Sequence, residues 1–111
     1  MKESKNVKRL LSENLNLAKE YFYAEQYRES IQVLEVITEL DPLHKTAFHL
    51  LGKNNMNLGD YQKAIENLEI SLSNHMNNKE CYIDLGTCYK KLGLEDEANK
   101  IFKEIVELFS Q

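Results

Sequence analysis

Three histidines, two cysteines and a run of acids are the residues of this chain that could do chemistry, and their spacing decides whether they do. His44, His49 and His75 are far apart, and none has a cysteine, histidine or carboxylate at a metal-ligand spacing that builds a site. They read as ordinary surface histidines. Cys81 and Cys88 stand seven apart on one helix face, about 10 Å along the axis by helix rise, too far for a disulfide with each other. Glu95, Asp96 and Glu97 open a helix, where they complement its dipole. No acid and base fall in a shared pocket. The expectation is a chain with no catalytic residues, no metal ligands and no cofactor, and so not an enzyme.

Composition narrows the partner. The 111 residues, 42% hydrophobic, suffice for one small core. Fourteen Lys and Arg against 18 Asp and Glu give a net charge of −4, which offers nucleic acid no electrostatic footprint. The basic start, Lys2, Lys5, Lys8 and Arg9, is explained as a solvated helix end. Residues 1–9 contain no apolar leader segment and no run of about 18 apolar residues occurs, so neither secretion nor membrane binding is expected and the chain is placed in the cytoplasm.

The elements that must position any site are helices repeated at a fixed interval. Leu51-Gly52 and Leu85-Gly86 lie 34 residues apart, followed at the same interval by Gly59 and Gly93, Ala64 and Ala98, and Leu68 and Phe102. One further step back lands on Leu17 and Ser30, a more degenerate copy. A period of this length marks an array of helical hairpins. In the first copy Leu11, Leu15, Leu17, Ala18, Tyr21 and Phe22 recur at three and four spacing, and Ile31, Leu34, Ile37 and Leu40 form a second stripe. The pair recurs as 47–58 with 61–72 and as 81–92 with 95–109. Gly59 and Gly93 suit the left-handed residue that ends a helix, Asp60 suits an N-cap, and Asp41-Pro42 closes the first pair. No strand pattern competes, and the fold class is all-α.

These residues resemble the tetratricopeptide repeat. Counted from Lys45 as position 1, the second copy has Phe48 at 4, Leu51 and Gly52 at 7 and 8, Gly59 at 15, Tyr61 at 17, Ala64 at 20 and Leu68 at 24. The third, from Lys79, has Tyr82, Leu85, Gly86, Tyr89, Gly93, Ala98 and Phe102. The first, from Leu11, keeps Leu17, Ala18, Tyr21, Tyr27, Leu34 and Pro42, but has Asn14 at position 4 and Glu25 where the others have glycine. The resemblance implies a right-handed array of three antiparallel hairpins, with repeats at 11–44, 45–78 and 79–111 and residues 1–10 extending the first helix. Gly52, Gly86 and Ala18 then sit where the helices of a hairpin approach most closely, answered by Ala64 and Ala98. Cys81 and Cys88 fall at positions 3 and 10, which the family gives to small packing residues, so they read as buried thiols in a reducing compartment.

If positions 3, 7, 8, 10 and 11 form the seam, positions 2, 5, 9 and 12 remain as a stripe, and the resemblance implies that it lines a concave groove for a protein or peptide segment. Its residues are Leu15, His49 and Ile83, then Lys19, Lys53 and Thr87, then Phe22, Met56 and Lys90. Phe22 and Met56 are the expected apolar anchors, and the lysines are expected to orient acidic groups. Family members that clamp a chaperone's terminal carboxylate do so at positions held here by Leu15, Lys19, Leu50, Glu80 and Asp84. Two cations are replaced by acids, so such a tail should be repelled. The last helix carries Ile101, Phe102, Ile105, Val106, Leu108 and Phe109, and Ile101, Ile105, Leu108 and Phe109 are expected to form an association surface for a second copy or another partner. The reading is a scaffold or adaptor module. Its alternatives are a structural domain that self-associates through the last helix, as a homodimer, and a secretion-type chaperone of a protein substrate.

Overall fold

The computed structural model describes residues 2–75 and 77–110, with side chains from residue 5 onward. Lys2 of the basic start therefore has no described side chain, and Gln111 lies outside the described residues. Six helices follow one another: α1 (Lys2–Tyr23), α2 (Tyr27–Leu40), α3 (Lys45–Asn57), α4 (Tyr61–Ser73), α5 (Lys79–Lys91) and α6 (Glu95–Phe109). They pair as α1 with α2, α3 with α4 and α5 with α6, and the hairpins stack through α2 against α3 and α4 against α5. The described residues contain no strand. None of the helices is long and apolar enough to cross a membrane.

The turns follow from residue chemistry. Gly59 and Gly93 have φ of +79° and +77°, the left-handed region that costs glycine nothing sterically. Their amides return to Met56 and Lys90, and the next amides, of Asp60 and Leu94, return to Asn55 and Tyr89, which satisfies the carbonyls left over at the end of each first helix. Glu25 takes the same conformation at φ +61° with the same pair of bonds, to Phe22 and Tyr21. The first turn thus keeps its geometry without glycine. Asp60 caps α4 by accepting from the Lys63 amide at 3.2 Å, and α2 ends at Leu40, immediately before Asp41-Pro42.

The core lies between successive hairpins. Ala18, Leu34, Ile37, Ala47, Leu50 and Leu51 form one buried cluster, and Ala64, Ile65, Leu68, Cys81, Leu85 and Cys88 form the next. Stability is therefore carried by neighbour-to-neighbour contacts. A polar relay crosses the first junction: Asn54 Nδ2 donates to Ser30 Oγ at 2.9 Å, which donates to the Ala18 carbonyl at 2.8 Å. Both side chains are fully buried.

At the far end the apolar arc of α6 does not form one surface. Ile101 packs against the second cluster, and the Phe109 ring meets Tyr82 edge-on at 5.8 Å. Ile105 is half-buried, whereas Val106 and Leu108 are 63% and 54% exposed. Residues two apart point about 200° away from each other around a helix, so the two exposed residues face opposite sides. Of the association surface expected from Ile101, Ile105, Leu108 and Phe109, Leu108 is exposed and the other three are partly buried.

Candidate protein-binding groove

The first helices of the hairpins, α1, α3 and α5, adjoin along one face of the array. Two hollows open on it, of about 430 and 220 Å³, and Phe22 and Lys53 wall both. Lys19, Tyr23, His49 and Glu80 are among the other residues lining the larger, and Met56, Asp84, Thr87 and Lys91 among those lining the smaller. Six residues of the expected stripe, Lys19, Phe22, His49, Lys53, Met56 and Thr87, are brought together here. The other three are not. Leu15 is half-buried against the first core cluster. Ile83 and Lys90 are exposed but line neither hollow, and Lys91 takes the place expected of Lys90.

His49 is the principal correction. It is only 5% exposed, with Nε2 2.9 Å from Asp84 Oδ2. Lys53 donates to Glu80 and stands 3.7 Å from Asp84. An acid and a base therefore do share a pocket, and Lys53 is engaged by two acids of α5. Burial alone would lower the Lys53 pKa, but the hydrogen bond it donates to Glu80 and the charges of Asp84 and Glu80 outweigh it and raise the value above 10.5. The contacts tie α3 to α5 along the groove wall. Lys19 and Lys91 are left as rim cations with no ion pair among the described residues.

Sequence reasoning missed this cluster because its partners belong to different repeats, His49 at position 5 of the second and Asp84 at position 6 of the third. The same reasoning missed Tyr23. Its ring is 79% exposed and stands 5.5 Å from that of Phe22, so it extends the apolar wall of the larger hollow into solvent. The signal was its place directly after the anchor residue.

Both cysteines are buried and free. Burial pushes their thiols up from 9.0, Cys81 to about 11 and Cys88 to about 12, so the reactive thiolate is scarce at neutral pH. Alkylation followed by mass spectrometry should leave both unmodified in the native chain and label both in denaturing urea; fast native labelling would contradict the packing. A raised folded-state pKa also fixes the sign of the pH dependence. The unfolded chain gives up these protons first, so their contribution to stability is whole below about pH 9 and lost as pH rises towards 11 and 12.

Comparison with known proteins agrees with this geometry. Two crystal structures of MamA are 28% identical to this chain over 88% of its length, with TM-scores of 0.84 and 0.83, and the chain spans 57% and 54% of theirs. The first TPR of Spaghetti (RPAP3), bound to the HSP90 peptide SRMEEVD, is 16% identical, with a TM-score of 0.86, over 93% of this chain and 82% of that one. At that identity the likeness shows the fold alone. No curated protein sequence matches the chain. The tetratricopeptide-repeat description matches residues 46–73 and 79–111, more than half of the chain, and the first hairpin repeats the same turn geometry. With three stacked hairpins, left-handed turns at a constant interval and this match, the chain belongs to the tetratricopeptide-repeat family.

Proposed function

We propose that this chain is a non-enzymatic protein-interaction module that seats a segment of a partner protein in the groove between α1, α3 and α5. The observation that carries this reading is the pair of hollows that share Phe22 and Lys53, lined by apolar and polar side chains together, with Lys19 in the wall of one and Lys91 in the wall of the other. Such a site takes apolar side chains of an extended or helical segment at Phe22, Tyr23 and Met56, while the rim cations orient acidic groups around them. Apolar contacts at the centre of an interface supply most of the affinity, and rim charges mainly set on-rate and specificity.

The acids of α5 help to define the ligand. Glu80 and Asp84 occupy two positions where chaperone-tail binders of the family hold cations, and here they are turned to Lys53 and His49 of the same chain. The HSP90 peptide of the RPAP3 complex is therefore not the ligand we infer. The test is capture of a partner by the parent and by variants. Tyr23→Ala, and separately Phe22→Ala with Met56→Ala, should each weaken capture, the double variant by about tenfold or more, the range of a hot-spot loss. Tyr23 is mostly in solvent, so its truncation leaves the fold intact, and circular dichroism checks the double variant. A partner held at parental strength by both variants would refute the groove reading.

A further inference from the structure

At position 11 of the repeat the first and third copies carry Tyr21 and Tyr89, but the second carries Asn55. Tyr89 reaches from α5 to the preceding hairpin, where its hydroxyl donates to Glu69 at 2.7 Å. Asn55 is too short for that reach. Beside it lies a hollow of about 440 Å³, walled also by Arg28, Gln32, Leu58, Asp60 and Lys63. Asn55 is two residues from Lys53, and the hollow accordingly opens on the other side of α3 from the groove.

Two observations mark this hollow as more than a packing defect. Asn55 is 4% exposed, and its Nδ2 is a buried donor with no hydrogen-bond partner among the described residues. Such groups are few in native proteins, because a buried donor without an acceptor has lost its water and gained nothing. The rim changes together with the floor. Stepping 34 residues along, the counterparts of Arg28, Gln32 and Lys63 are Gln62, Glu66 and Glu97. Where the tyrosine is lost, two carboxylates are also lost and two cations appear. Asp60, the acid of the rim, is committed to capping α4 through the Lys63 amide.

We propose that this hollow is a second binding site, separate from the groove, that receives an acidic side chain of a partner protein: an oxyanion carried on an apolar stem. The stem occupies volume that a tyrosine fills in the third copy and rests against Leu58. The oxyanion accepts from Asn55 Nδ2, and Arg28 and Lys63 balance its charge through charge-assisted contacts. Nothing in this arrangement depends on the groove.

The test is a titration of the full chain, labelled with nitrogen-15, in which the Asn55 side-chain amide is the reporter. Phenylacetate and phenyl phosphate are the probes, and phenylacetamide is the neutral control on the same stem. The Asn55 amide should shift with at least one anion at millimolar concentration and respond several-fold more weakly to phenylacetamide. The tighter anion identifies the group as carboxylate or phosphate. Asn55→Tyr restores the residue of the other two copies and should keep the helical fold while abolishing the shifts that the anions cause at the backbone amides of Arg28 and Lys63, which also line the hollow. Should that variant fail to fold, Arg28→Gln with Lys63→Glu reinstates two of the three rim residues found around Tyr89 and should weaken the anion by about tenfold, equivalent to about 1.4 kcal/mol. An Asn55 amide unmoved by both anions, a neutral control that binds as well as the anions, or undiminished binding by the recharged rim would each overturn the proposal.

Discussion

Replacing Gly52 with leucine is expected to remove a large share of the stability of this domain. A Cβ built at Gly52 falls 2.6 Å from both Cγ and Cδ2 of Leu68 and 3.4 Å from the Ala64 carbonyl oxygen. Leu68 has no exposed surface and cannot swing away. The two helices of the hairpin must separate instead, and separation weakens contacts to both neighbouring hairpins. The cost should therefore reach or exceed the upper end of the roughly 1 to 3 kcal/mol typical of overpacking, against a total of about 5 to 15 kcal/mol for a small domain. Gly86 makes the internal comparison. Its Cβ would meet the Phe102 ring, also at 2.6 Å, but Phe102 is only half-buried on a helix with no following hairpin among the described residues. That ring can turn towards solvent, so Gly86→Leu should cost clearly less. Urea titration followed by circular dichroism reads both midpoints; an unchanged midpoint for Gly52→Leu, or a larger loss for Gly86→Leu, would contradict the packing described.

The repeat, the hairpins and the tight crossings were legible in the sequence because each depends on residues close together along the chain. Gly59, Gly93, Asp60 and Pro42 act on their own turns, and Gly52 and Gly86 pack against helices about sixteen residues on in the same hairpin. What one hairpin does to the next was much harder to read. His49 looks like a surface histidine until the third repeat is laid over the second and places Asp84 against it. Lys53 looks like a groove cation until Glu80 arrives from the same helix. Helical periodicity also assigned α6 a single apolar arc, yet the hairpin itself consumes Ile101 and covers Phe109. Periodicity counts apolar residues on a face without saying which neighbour already covers them. Glu25 shows the opposite case, a position whose residue type departs from the pattern while its backbone does not.

Of the two acids that α5 offers to α3, Asp84 should matter far more than Glu80. The Asp84 and His49 side chains are 15% and 7% exposed, whereas Glu80 is 57% exposed. A pair open to water is screened and must also hold two long side chains in place, so Glu80→Ala should cost about 0 to 1 kcal/mol. Truncating Asp84 leaves the His49 ring nitrogen without its partner in a nearly water-free wall, and Asp84→Ala should cost about 3 kcal/mol, as when one member of a buried pair is removed. His49→Ala combined with Asp84→Ala should cost less than the sum of the single changes, because deleting both removes the group that either single change strands. A thermodynamic cycle of the two singles and the double, read by urea unfolding, gives the coupling directly. Near-additive costs, or an Asp84→Ala variant no weaker than Glu80→Ala, would mean that the contact does not hold α3 to α5. If the coupling is as large as expected, the groove wall between α3 and α5 is fixed within the chain itself before any ligand arrives.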